Sequence, residues 1–131
     1  MANSAVIKTV YAPFGNEVEL IENTYDFAVD GGAVSDIDLF TFGESMVIVN
    51  AWMEVVTLAT SSGSATVGIQ LNGTALQTAV AVASLTAGTV HAITQTTGPR
   101  VSGAVDLGLE INVEALTAGK IKVKLLVAKL G

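Results

Sequence analysis

A single histidine, His91, twelve carboxylates and no cysteine make up most of what this chain has for chemistry. Nucleophilic catalysis would need Ser84 or Ser102 brought to His91, with an acid behind the ring. Neither serine lies in a nucleophile-elbow pattern, and no acidic residue is near His91 in sequence. The absence of cysteine removes thiolate nucleophiles, disulfides and cysteine metal sites. Carboxylates gather at Asp26, Asp30, Asp36 and Asp38 around Gly31-Gly32, an oxygen-rich set of the kind calcium accepts. Their spacing matches neither an EF-hand nor a repeat-type calcium loop. The same acids could be drawn as a glycosidase pair, but a small Ala/Thr-rich sandwich has little room for a sugar cleft. Ser61-Ser62-Gly63-Ser64 is followed by no Walker lysine. Asn72-Gly73-Thr74 formally matches a glycosylation acceptor and reads better as a hairpin turn. The expectation is no enzyme, no resident metal and no cofactor.

The elements that would carry these residues are strands. Val105, Leu107, Leu109, Ile111 and Val113 alternate with Asp106, Gly108, Glu110 and Asn112. Ile121, Val123, Leu125 and Val127 alternate with Lys120, Lys122, Lys124 and Leu126. A period of two puts one face in a core and the other in water. The linker 115–119 predicts a hairpin in which Glu114 faces Lys120, Asn112 faces Lys122 and Glu110 faces Lys124. Leu116-Thr117-Ala118-Gly119 echoes Leu85-Thr86-Ala87-Gly88, which predicts one kind of turn used twice.

Upstream, Met46–Leu58 is apolar on both faces, as in a strand covered on both sides. Trp52 lies on its outward face, either under the N-terminal part of the chain or as an anchor for another subunit. Ala65–Leu71 reads as a further strand, with Val67, Ile69 and Leu71 inward. Residues 1–44 carry shorter apolar pieces and six of the seven aromatics. No segment has a helical period. The predicted fold is all-β: an antiparallel sandwich, jelly-roll-like, in one domain spanning 1–131. Residues 1–44 supply an extended N-terminal arm and joining strands, and 45–131 the main sandwich.

Charge distribution narrows the partners. Residues 1–54 hold nine acids against Lys8 alone, and the net charge is −6. An acidic, aromatic-poor chain lacks the basic surface that phosphate backbones require, so no nucleic-acid partner is expected. Residues 75–93 carry no charge but include seven polar or small interruptions, from Gln77 to His91, too many for a membrane span. The first residues lack the basic-then-apolar order of a secretory leader. From Val55 to Pro99, 45 positions, there is no Asp, Glu, Lys or Arg. A stretch this bland suits burial, either in its own core or under neighbouring copies.

The stretch from Ile48 onward resembles small virion proteins of tailed bacteriophages. The resemblance is carried by Ser62-Gly63-Ser64-Ala65-Thr66-Val67-Gly68-Ile69 after the long strand, the Leu-Thr-Ala-Gly turns, and Leu116 to Val123. It points to capsid decoration, or cement, proteins. The resemblance implies a β-sandwich that binds the outer capsid surface as a homotrimer, clamps the major capsid protein and is made in the bacterial cytoplasm. On that reading Val6, Ile7, Tyr11 and Phe14 of an N-terminal arm would lie on a neighbour by strand addition. Trp52 and the uncharged 55–99 region would supply subunit contacts. The alternative is a host-recognition or carbohydrate-binding module of a tail or head fibre.

Overall fold

The computed structural model describes residues 2–10, 18–71, 74–75, 79–93, 100–101 and 105–129. The strands, in chain order, are β1 (Ala2–Val10), β2 (Val18–Asp26), β3 (Ser35–Phe42), β4 (Met46–Ser61), β5 (Thr66–Leu71) and β6 (Thr74–Ala75). They continue with β7 (Val80–Ala81), β8 (Val90–Ala92), β9 (Arg100–Val101), β10 (Val105–Asn112) and β11 (Leu116–Lys129). Between β2 and β3 lies one helical turn, α1 (Phe27–Asp30), and a 3-10 turn covers Val82–Ser84. Sheet I runs β1-β3-β10-β5-β6, with β7 also on β5. Sheet II runs β2-β11-β4-β8, with β9 also on β4. All pairings are antiparallel except β1 with β3.

The inner faces meet in one core, as the period of two requires. Sheet I contributes Ile37, Phe40, Phe42, Val67, Ile69, Leu107, Leu109 and Ile111; sheet II contributes Tyr25, Met53, Val55, Ile121, Val123, Leu125 and Val127. Each of these large side chains fully withdrawn from water contributes about 1.5–3 kcal/mol, against the chain entropy lost in ordering it.

The predicted hairpin of the last two strands does not form. β10 pairs with β3 and β5, whereas β11 pairs with β2 and β4, so residues 113–115 arch from one sheet to the other. The alternation specifies which face of each strand is buried. It does not say whether those faces lie side by side in one sheet or opposed across a core. Val113, expected to point inward, instead has φ +72° and is 64% exposed where the chain changes layer. The lysines find their acids elsewhere: Lys124 Nζ lies 2.9 Å from Glu54 and 4.0 Å from Glu22, and Lys120 lies 3.5 Å from Asp26.

Leu116 to Gly119 is likewise part of β11 and not a turn, while Leu85 to Gly88 does turn, with Thr89 N donating to Thr86 O. The two echoes flank the same point of β4. On one side Ala59 N donates to Leu85 O, 3.1 Å away. On the other, Gly119 packs so tightly that a Cβ there would lie 3.1 Å from Ala59 Cα.

β4 does not keep one set of alternate residues inward along its length; it switches faces. Leu126 lies opposite Asn50 and Val127 opposite Ile48, which leaves Val49 as an extra residue; Val56 is extra in the same way between Val55 and Thr57. Each bulge re-aims the strand. Met46 and Ile48 point into the core before the first bulge, and Ala51, Met53 and Val55 after it. A mixed pattern on both faces is how a repeatedly bulged strand reads in sequence.

At the end of sheet II, Asp26 caps α1 by accepting from Ala28 N. The Tyr25 hydroxyl donates to Gly31 O at 2.6 Å, and burial, then the charges of Asp30 and Asp26, raise its pKa well above the usual phenol range. Tyr25→Phe keeps the buried ring and deletes this bond. Its expected cost is about 1 kcal/mol, read as a lower midpoint in urea with an unchanged slope.

Candidate interaction surfaces

Of the serines singled out with His91, Ser84 meets it only through its backbone carbonyl, and Ser102 lies outside the described residues. His91, on β8, is half-buried; its Nε2 lies 3.2 Å from Ser84 O and 3.3 Å from Thr89 Oγ1. These contacts are with a carbonyl and a hydroxyl, not with the carboxylate that orients a catalytic imidazole as a base. The carboxylate set splits between the layers. Asp26 caps α1 beside sheet II and Asp30, at the end of that turn, accepts from Asp26 N, while Asp36 and Asp38 lie on β3 of sheet I. Among the described residues no group of three or more acids or histidines is arranged to hold a metal ion. Among them too, no helix is long and apolar enough to cross a membrane.

What the fold builds instead is two outer faces of different character. On sheet II, Trp52 is half-buried near the middle, in register with Lys124 on one side and Ala92 on the other. One end of this face is a lattice of opposite charges. Lys124 bridges Glu22 and Glu54, and Lys120 meets Asp26. The Lys124 ammonium holds the Glu54 carboxyl below the usual carboxylate range, first by a hydrogen bond and then by its charge. The other end is apolar. Leu20 and Val18 of β2 lie opposite Leu126 and Ala128 of β11, and the bulge residue Val49 stands beside them on β4. Val18, Leu20 and Val49 are each about half exposed. Val56, Leu58 and Val90 add exposed apolar surface on the same sheet.

On sheet I the outer face is acidic. Asp36 and Asp38 of β3 lie beside Glu110 and Asp106 of β10, and Thr41 Oγ1 donates to Asp106 at 2.8 Å. Gly108 sits between Asp38 and Gln70 in the ladder, and a Cβ there would come within 2.7 Å of Ile37 O.

Of the predicted contact residues, Trp52 lies on the outer face of sheet II. Val6 and Ile7 belong to β1, which pairs with β3 of its own chain at Ala2–Asn3 and at Lys8–Val10, and the two residues fall in the irregularity between those stretches. Tyr11 and Phe14 lie outside the described residues. The uncharged 55–99 stretch is divided. Val55, Ala59, Ala65, Val67, Ile69, Leu85 and Ile93 enter the core, while Val56, Leu58 and Val90 stay on the surface. The Val18/Leu20/Val49 patch was not anticipated. Its one sequence signal is Leu126, an apolar residue in a lysine row.

Two packed layers of mostly antiparallel strands, with no barrel closed, define an all-β sandwich. The same fold occurs in bacteriophage capsids. Over 94% of its length the chain superposes on 99% of a chain in the capsid of Ralstonia phage GP4, with a TM-score of 0.65 at 15% identity. Over 90% of its length it matches 89% of a chain in the cyanophage Pam1 capsid asymmetric unit, with a TM-score of 0.58 at 16% identity. At these identities it is the fold that is shared. No protein-family model matches the chain, and no curated protein matches it.

Proposed function

We propose that the chain is a non-enzymatic structural protein of a phage virion, bound to the outside of the capsid as a homotrimer that clamps major capsid subunits. The observation that carries this reading is the extent of the likeness. It takes in nearly all of both chains, so a capsid chain of about this length is this sandwich with little added. The outer face of sheet II supports the same reading. An apolar patch beside charges already paired within the chain can be covered at small desolvation cost, because few ions lose water without a partner. A protein that binds only the assembled lattice stabilises it by mass action, with no catalytic step. Trp52 and the Val18/Leu20/Val49 patch are the contacts we assign to sheet II, to a neighbouring copy or to the shell.

The test is copy number in purified virions by quantitative mass spectrometry. A fixed, high proportion to the major capsid protein is the expected result. A handful of copies per particle would move the chain to a tail or fibre and favour the host-recognition alternative. Absence from the particle would overturn both.

A further inference from the structure

The outer face of the β2–β11 ladder is complementary to itself. From one end to the other its outward rungs are Val18–Ala128, Leu20–Leu126, Glu22–Lys124, Thr24–Lys122 and Asp26–Lys120. The first two are apolar, with Val18 and Leu20 about half exposed. The third and fifth are ion pairs of 4.0 Å and 3.5 Å, each with the acid on β2 and the base on β11. One column is therefore acidic, the other basic, and both turn apolar at the same end.

We propose that a second copy of the chain covers this ladder face to face, about a two-fold axis running parallel to the strands over the β2–β11 seam. Such an axis exchanges the two columns and keeps every rung at its own level. Glu22 then stands over Lys124 of the second copy, Asp26 over its Lys120 and Leu20 over its Leu126, and the symmetry repeats each contact in reverse. Every charge keeps its own pair and gains an opposite neighbour, so few ions lose water uncompensated. Other occupants fit less well. A two-fold running across the strands would lay the Asp26–Lys120 rung on Val18–Ala128, charge on valine. A partner of one sign would repel one column as much as it attracts the other. The proposed axis also lets the two sheets cross at the roughly 30° of aligned sheet packing. The contact is small. Nine residues of each strand, at about 3.4 Å per residue and about 4.8 Å between strands, cover about 300 Å² per copy, against about 800 Å² in a standard interface. Pairing is therefore weak between free chains and strengthens where a lattice already holds copies side by side. It goes beyond the proposed function, since a three-fold contact joins two different surfaces and this one joins a surface to itself.

Sedimentation equilibrium of the full chain from about 10 µM to about 1 mM should show the mass of the smallest species doubling, with a dissociation constant on the order of 100 µM. Leu20→Glu sets a carboxylate over Leu126 of the second copy, and Glu22→Lys sets ammonium groups against each other. Each should weaken association at least about tenfold, and Lys124→Glu should do the same. An equimolar mixture of E22K and K124E should associate again with about the parent's affinity, because Lys then meets Glu at both of these contacts. A merely damaged fold gives no such rescue, and circular-dichroism melts check that each variant folds. L20E and E22K associating like the parent, or a mixture no tighter than its components, would overturn the proposal. So would a parent mass that does not change with concentration. That last result beside a high virion copy number would remove this contact alone and leave the proposed function standing.

Discussion

Val123→Asp is expected to leave no folded protein. Val123 is completely buried in the middle strand of sheet II, opposite Asn23 of β2 and Met53 of β4. A carboxylate there would face the core with no cation near, and an unpaired buried charge costs several kcal/mol even after relaxation. A domain of this size has only about 5–15 kcal/mol of net stability to lose, and the substitution also removes a well-packed side chain. Leu109→Asp should act the same way from sheet I, where Leu109 is fully buried opposite Ile37 and Ile69. Lys122→Gln, one residue from Val123 on the outer face, should change stability by less than about 0.5 kcal/mol. Soluble yield and the cooperativity of thermal unfolding by circular dichroism separate these outcomes. A soluble V123D protein with a sharp melt, or a K122Q protein that fails to fold, would invert the assignment of inner and outer faces.

The second large effect comes from a residue with no side chain. Gly32 follows α1, where its carbonyl accepts from Leu116 N at 2.7 Å and ties this loop to the start of β11. A Cβ on Gly32 would stand 2.2 Å from Leu116 O and 2.8 Å from the Phe27 ring. The ring could turn away, but a backbone carbonyl engaged in a strand cannot. Gly32→Ala must therefore push the α1 loop off β11, and about 3 kcal/mol is the expected loss. Gly31→Ala is the control. Its φ is +77° and its ψ 175°, a region essentially reserved for glycine, with nothing within 4 Å of the added atom, so it meets backbone strain alone, about 1–3 kcal/mol. Urea denaturation should show the larger loss for Gly32→Ala. A larger loss for Gly31→Ala would mean that the loop is not clamped to Leu116.

Patterns with a physical period were legible in the sequence, and three-dimensional partnerships were not. The alternation in Val105–Asn112 and Lys120–Val127 predicted the buried apolar side chains of those runs from Leu107 to Val127, because inward orientation follows from the pleat alone, whereas Gly108, placed outward, is buried as well. The same alternation was silent on layer, so Glu110 was matched with Lys124 when the residue opposite it on β3 is Asp36. Bulges were invisible for a related reason. Val49 and Val56 are ordinary strand residues in composition, and only the register against β11 reveals them as insertions. Trp52 could be placed outward from parity along β4. The Val18/Leu20/Val49 patch could not, since it needs β2, β11 and β4 side by side, an order no local signal encodes. The two Leu-Thr-Ala-Gly segments both lie against Ala59, though one bends and the other runs on.

The position of β11 has a consequence for when this protein can fold. β11 is the last described strand in chain order, yet it lies between β2 and β4 and gives each of them its longest ladder. During synthesis, β2 and β4 must wait with a strand-wide gap between them until residues 116–129 have left the ribosome. Sheet II is therefore completed only after translation has passed its final strand, by contacts of long sequence separation that close slowly. In that interval the unpaired edges and apolar faces of both waiting strands are open to other nascent chains. Rapid synthesis of many copies would put the greatest demand on the cell's chaperones at this step, before any native assembly begins.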